Sequence, residues 1–399
     1  MGIINFLKGV TRSNRVINLD STLGNVLITG TSKEGKEVVL KNYAIDSVNK
    51  DIGVIIFRDQ ITGVSSYPTI SPSNRLIYEV DCSENSTTEQ IDVFAGMNDK
   101  EICNSIIKIF DLFNEIERTK KMSYINYISI LRNLVRRSGK TVKLNNLADY
   151  PIEEVELLNM RYCTSVEQSQ NDRFLTGIRS DIRELESYFF DFSQNMAGYV
   201  LSGNKSLEKI FNLKPIIEIS LDFAGKPEES KVIISTVLDA LNRANISVTG
   251  KNSINVIIDG APNEVLIDSG LQNVIKSGRG YKVLYTVQDI SNLVKDSNEW
   301  IDYVDSYFFF KQNSNQNKEF CSEFFGTYEK KKEQITKGTS KPTFWDRLNG
   351  TGTTSKQNST TVTYEKERVY LPEVFSALPD NQAIYYSKNH NEHTRLTVY

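Results

Sequence analysis

The run Asn25-Val26-Leu27-Ile28-Thr29-Gly30-Thr31-Ser32-Lys33-Glu34-Gly35-Lys36-Glu37 decides the fold class. Its first part, NVLITG, is a continuous apolar stretch closed by a glycine, the pattern of a strand buried on both faces. A helical pattern follows from about Gly35 to Val48, with Val38, Val39, Tyr43 and Val48 as apolar positions. Gly53–Phe57 (GVIIF) and Leu76–Val80 (LIYEV) repeat the buried-strand pattern. Strand, helix, strand predicts an α/β protein with a mainly parallel sheet and helices on its faces.

The rhythm changes further on. Helical patterns fill Glu101–Arg118, Tyr124–Arg137, the stretch from Ile152, and Asp172–Leu201, which predicts an all-helical insertion over 99–213. Strand patterns return at Pro215–Leu221, Ile254–Asp259, Val283–Val287 and Tyr307–Phe310. The expected organisation is therefore a first part of the core at 1–98, the insertion at 99–213, and a second part of the core at 214–336. A flexible polar linker is expected at 337–366, where Gly, Ser, Thr, Asn and Lys dominate. A C-terminal β element and tail complete the chain at 367–399.

The turn after the first strand reads Gly30-Thr31-Ser32-Lys33-Glu34-Gly35-Lys36-Glu37. A phosphate-binding loop has the form GxxxxGK followed by Ser or Thr. Gly30, Gly35 and Lys36 match it: glycines let backbone N–H groups close around phosphates, and the lysine pairs with the outer oxygens. Lys33 adds a second cation. Glu37 stands where a hydroxyl should ligate Mg²⁺. Two unit charges 4 Å apart at an effective dielectric near 20 repel by about 4 kcal/mol, unless Glu37 ligates the metal itself. A plain glycine-containing turn with no ligand is the alternative. A second acidic strand, Asn255–Asp259 (NVIID), would place Asp259 beside the metal. The next residue is Gly260, so the acid that would polarise an attacking water is missing, a loss of about 10²–10⁴ in rate. Glu264 is the nearest substitute.

Composition narrows the chemistry. The 399 residues suit roughly two or three compact units. Hydrophobic residues make up 39% and charged residues 24%, which excludes wholesale disorder. Net charge is −3, so any basic surface must be local. The only histidines are His390 and His393, and none of the four cysteines forms a CxxC pair. That sets aside histidine triads, zinc ribbons and thioredoxin chemistry, leaving Lys, Asp, Glu, Arg and backbone groups. The low cysteine content fits a reducing cytoplasm. No apolar run reaches the ~18–20 residues that span a bilayer.

Several segments together resemble the TraG/TraD-type coupling ATPases of type IV secretion and conjugation, within the FtsK/HerA motor group. Asn25–Lys36 occupies the phosphate-loop position, and Arg75–Met97 resembles the segment leading to an NPF-like turn, read here as Asp92-Val93-Phe94. Asp259–Asn263 (DGAPN) resembles a DEAPN-like segment with its Glu replaced. Gly278–Leu293 (GRGYKVLYTVQDISNL) resembles the run in which a Gln ends a strand beside the phosphate loop. Phe320–Gly326 and Val369–Tyr386 resemble the C-terminal pattern of TraG-like proteins.

The resemblance implies a P-loop NTPase core of RecA/FtsK type. It implies ATP and Mg²⁺ bound weakly or not at all, with Asp259, Gln288 and Arg279 at catalytic positions and Asp259 at the metal. It also implies a cytoplasmic homo- or hetero-oligomer, at the inner face of the membrane through partner subunits of a transfer apparatus, with DNA or protein as substrate. The N-terminal transmembrane pair typical of coupling proteins is missing from this sequence.

The expected role is a regulatory or structural motor-fold subunit with impaired hydrolysis. An active translocase, with Arg279 reaching an adjacent subunit's γ-phosphate, and a nucleotide-independent binding module are the alternatives. A basic cluster around the second long helix includes Arg132, Arg136, Arg137 and Lys140, with Tyr124 and Tyr127 interleaved. It would suit a nucleic-acid or secretion-substrate surface; a solvated helix face is the plainer reading.

Overall fold

A computed structural model describes residues 24–61, 77–82, 90–243, 254–277, 281–296, 302–341, 348–350 and 355–398. The buried runs fold as strands: β1 (Val26–Thr29), β2 (Gly53–Asp59), β3 (Ile77–Asp81) and a two-residue β4 (Ile91–Asp92). α1 (Lys33–Asn49) joins β1 to β2. The insertion holds α2 (Asp99–Asn114), α3 (Arg118–Arg137), α4 (Ile152–Tyr162), α5 (Ser165–Gly177), α6 (Arg179–Ser193) and α7 (Met196–Val200). β5 (Lys205–Ser206), α8 (Leu207–Phe211), β6 (Ile216–Leu221), α9 (Pro227–Arg243) and β7 (Ile254–Asp259) lead back into the sheet. α10 (Asn263–Asp268), α11 (Leu271–Ser277), β8 (Tyr281–Val287), α12 (Ile290–Asp296) and β9 (Ser306–Phe309) follow. Then come α13 (Asn315–Phe324), β10 (Thr327–Ser340), β11 (Ser355–Arg368), α14 (Pro372–Ser376), β12 (Gln382–Ser387) and β13 (Glu392–Thr397).

Nine strands form one sheet in the order β13-β12-β9-β1-β8-β7-β2-β6-β3. All pairs are parallel except β12 with β9 and with β13. The central strands are buried on both faces, as their unbroken apolar runs require. α1 covers one face with Val39, Leu40, Tyr43, Ala44 and Val48, which share a core with Val26, Ile28, Ile56, Ile257 and Leu284. Spacing of three and four residues puts these side chains on one helical face.

In the insertion, Phe110 of α2 packs on Phe189 and Phe192 of α6, each with ring centroids 5.2 Å apart. The stretch 172–201, expected as one helix, is three. α5 ends at Gly177, and Asn195 starts α7 afresh by accepting the Gly198 N–H at 2.9 Å. No helix among the described residues is long and apolar enough to cross a membrane.

Compactness divides the described residues into two units. One holds those up to Phe310 together with those from Asp380, and the other holds Lys311–Pro379. These borders differ from those expected at 336 and 366. In the smaller unit, β10 and β11 pair antiparallel over their full lengths, Thr327 against Arg368 through Ser340 against Ser355. Most of the polar stretch expected as a linker at 337–366 is therefore ladder. Its threonines, Val362 and Tyr364 are strand formers despite the polar composition.

Candidate functional site

Three neighbouring strands end at one place: β1 just before Gly30, β8 just before Gln288 and β7 at Asp259. Crevices at the carboxyl ends of parallel strands are where α/β folds hold ligands. Here a cavity of about 220 Å³ is lined by Thr31, Lys33, Lys36, Glu37, Leu40, Ile61, Asp259, Gly260 and Gln288. The fold thus gathers Lys33, Lys36, Glu37, Asp259 and Gln288, which the sequence had singled out separately. Gly30, which is not among the lining residues, has φ of 123°, a conformation that favours glycine, and its N–H reaches the Val287 carbonyl at 3.4 Å.

The turn itself differs from the expected loop. Only Gly30, Thr31 and Ser32 separate β1 from α1, so the helix expected from about Gly35 begins two residues earlier, at Lys33. Ser32 is the N-cap, and its side-chain oxygen accepts the Gly35 N–H at 3.3 Å. The Ser32 hydroxyl in turn donates to the Asp380 carbonyl. A Cβ at Gly35 would run into the Phe310 ring and the same Asp380 carbonyl. The glycine is required by this close packing, and its N–H is committed to Ser32 and not held open for a phosphate.

Charge in the cavity is largely balanced. Burial pushes the Lys36 ammonium below its ordinary range, and the Asp259 carboxylate pulls it partly back. Asp259 is buried at 6% exposure and accepts from Thr286 Oγ1 at 3.4 Å. Thr286 Oγ1 also accepts the Gly260 N–H at 2.8 Å. Glu37 pairs with Lys41 one turn on, which offsets the carboxylate expected to repel a polyphosphate. Glu264 lines an adjoining cavity of about 280 Å³ with Asn263, Asp289 and Asn292. Gly260 and Gln288 line both cavities, whereas Glu264 lines only the second.

Toward a nucleotide with Mg²⁺ these residues offer both matches and mismatches. Lys33 and Lys36 suit phosphate oxygens, but the Gly35 donor is taken and no hydroxyl follows Lys36. Arg279 lies outside the described residues.

The basic cluster sits on α3 and just beyond it, largely paired with carboxylates. Arg132 and Arg136 bond to Asp99 at 3.0 and 2.8 Å, and Arg137 grips Glu167 through two contacts at 2.9 and 3.1 Å. The Arg132 hydrogen bond holds the Asp99 carboxyl below its usual range, and Arg137 holds Glu167 down to about 2. Lys140 has no ion pair among the described residues. Tyr124 and Tyr127 are buried in the insertion's core, away from a stacking role. His393 is in β13, opposite Tyr386.

Sequence reasoning passed over Ser32, although a serine before a helical pattern is an N-cap signal. It also passed over Lys41, readable as the i+4 partner of Glu37. Asp380 carried no local signal, because its carbonyl meets Ser32 only through the sheet.

No family model matches the sequence, and no curated protein matches it. Solved structures do. The bacterial conjugative coupling protein TrwB, in an unbound monoclinic form, superposes with TM-score 0.65 at 13% identity over 98% of this chain and 90% of that one. TrwB in complex with ADP and Mg²⁺ gives 0.64 at 12% identity, covering 98% and 91%. VirB4 of Thermoanaerobacter pseudethanolicus gives 0.54 at 8% identity, covering 94% and 89%. Across nearly its whole length, then, the chain has the P-loop NTPase fold of the conjugative coupling proteins and VirB4: a mainly parallel α/β core interrupted by a helical insertion.

Proposed function

We propose that this protein is a motor-fold component of a type IV secretion or conjugative DNA-transfer system in which ATP hydrolysis is weak or lost, and that its role there is regulatory or structural. The observation that carries the reading is the closed N-terminus of α1. Ser32 caps the Gly35 N–H, and the Asp380 carbonyl and Phe310 occupy the space beside Gly35. A phosphate loop works by presenting free N–H donors to the anion. The Gly260 substitution after Asp259 supports the same reading from the other side of the cavity, since no base stands there to activate water. The likeness to TrwB and VirB4 supports the setting: a transfer apparatus whose subunits would be the partners, at the inner face of the membrane, with the chain working in a homo- or hetero-oligomer.

In this reading residues 99–213 act as the partner-facing unit, and Arg132, Arg136, Arg137 and Lys140 are a substrate surface only where their carboxylate partners are displaced. A second reading, a nucleotide-independent binding module, is favoured by the same closed helix end. Calorimetric titration with ATP and Mg²⁺ separates them. Weak heat that Lys36→Ala removes supports a residual nucleotide site, and no heat at millimolar ATP supports the module. Tight binding contradicts both.

A further inference from the structure

We propose that the β10–β11 ribbon is a docking arm for an anionic phospholipid surface. The ribbon is a two-stranded sheet of its own, about 45 Å long at the usual rise per residue. A two-stranded ribbon with neither a third strand nor a helix against it is marginal in water. Directly opposed residues share a face, so the register puts Ile335, Val362 and Tyr364 on one face, with Lys337 and Lys356 further toward the turn. Ile335 is 59% exposed, Val362 42% and Tyr364 65%, so nothing among the unit's described residues covers this face. Leu348, in the connection between the strands, is 63% exposed.

Charge along the ribbon is graded. At its base two cations are paired: Lys330 with Glu367 at 3.0 Å, and Arg368 with Glu319. From Gln334 to Ser340 and from Ser355 to Tyr364 there is no acidic residue, and Glu333, opposite Val362 in the register, marks the base-side limit of this basic stretch. Lys337, Lys341 and Lys356 have no ion pair among the described residues. Aliphatic side chains set among unneutralised lysines are the two signals that together hold a protein at a membrane surface: apolar burial at the headgroup boundary and attraction to anionic lipid. A nucleic acid would use the lysines but would leave Ile335, Val362 and Leu348 in water. The open edges of the ribbon carry unpaired backbone groups, so it would lie in the interface and not enter the hydrocarbon.

The full chain should co-sediment with vesicles of equal parts phosphatidylcholine and phosphatidylglycerol, and not with phosphatidylcholine alone. Replacing Lys337, Lys341 and Lys356 with Ala should weaken the partitioning roughly a hundredfold. Ile335→Ser, Val362→Ser and Leu348→Ser together should weaken it by about tenfold or more. These side chains are exposed, so melting temperatures should stay unchanged and exclude misfolding. Equal binding to neutral vesicles, retention by either variant, or binding of duplex DNA without vesicle binding would overturn the proposal.

Discussion

The Ser32 side-chain oxygen accepts the Gly35 N–H at 3.3 Å, so the first turn of α1 is capped by its own chain. The same hydroxyl donates to the Asp380 carbonyl, tying that turn to the segment entering β12. Ser32→Ala removes both bonds. Urea denaturation should show a loss of about 1–2 kcal/mol, whereas an open loop poised for phosphate would tolerate the change.

Gly35 gives the sharper substitution. Alanine is normally better than glycine inside a helix by about 1 kcal/mol. Here its Cβ would meet the Phe310 ring and the Asp380 carbonyl. Overpacking of this kind costs about 1–3 kcal/mol. Gly35→Ala should therefore lower stability overall, against the helix propensity trend, with no nucleotide present.

Much of the core was legible because each strand is an unbroken apolar run, as in Val26–Thr29 and Ile254–Asp259, and such runs fit only a sheet covered on both sides. The cavity residues were legible as isolated positions, since each lies at a strand end or in the first turns of the following helix. What stayed hidden depends on distant chain segments. The turn length between Thr29 and Lys33 is set by Ser32 capping, and Gly35 matches a motif for a reason supplied by Phe310 and Asp380. The β10–β11 ribbon was hidden by composition: its lysines, threonines and serines carry no sustained apolar–polar alternation, so only the pairing reveals the strands.

Lys36 predicts an alkaline effect. Burial lowers its folded pKa below the ordinary 10.5, with Asp259 opposing. Between the two values the unfolded chain holds the extra proton, so stability rises with pH there. Lys36→Met should lack this share of the rise, which chemical denaturation across the alkaline range would measure as a flatter profile.

Glu167 predicts an acid effect of the same sign, in a different window. Arg137 and the Thr164 cap hold its carboxyl at about 2, against an ordinary value of 4.5. Its contribution is present above 4.5 and is lost as pH falls toward 2. Glu167→Gln should flatten the stability profile in that window and leave the profile above it unchanged in slope.

Steady-state ATP turnover by the purified full chain with Mg²⁺, beside Lys36→Ala, tests the central claim most directly. With the Gly35 N–H capped and Gly260 following Asp259, turnover should not rise above that of the Lys36→Ala protein. Robust turnover that Lys36→Ala abolishes would contradict the account.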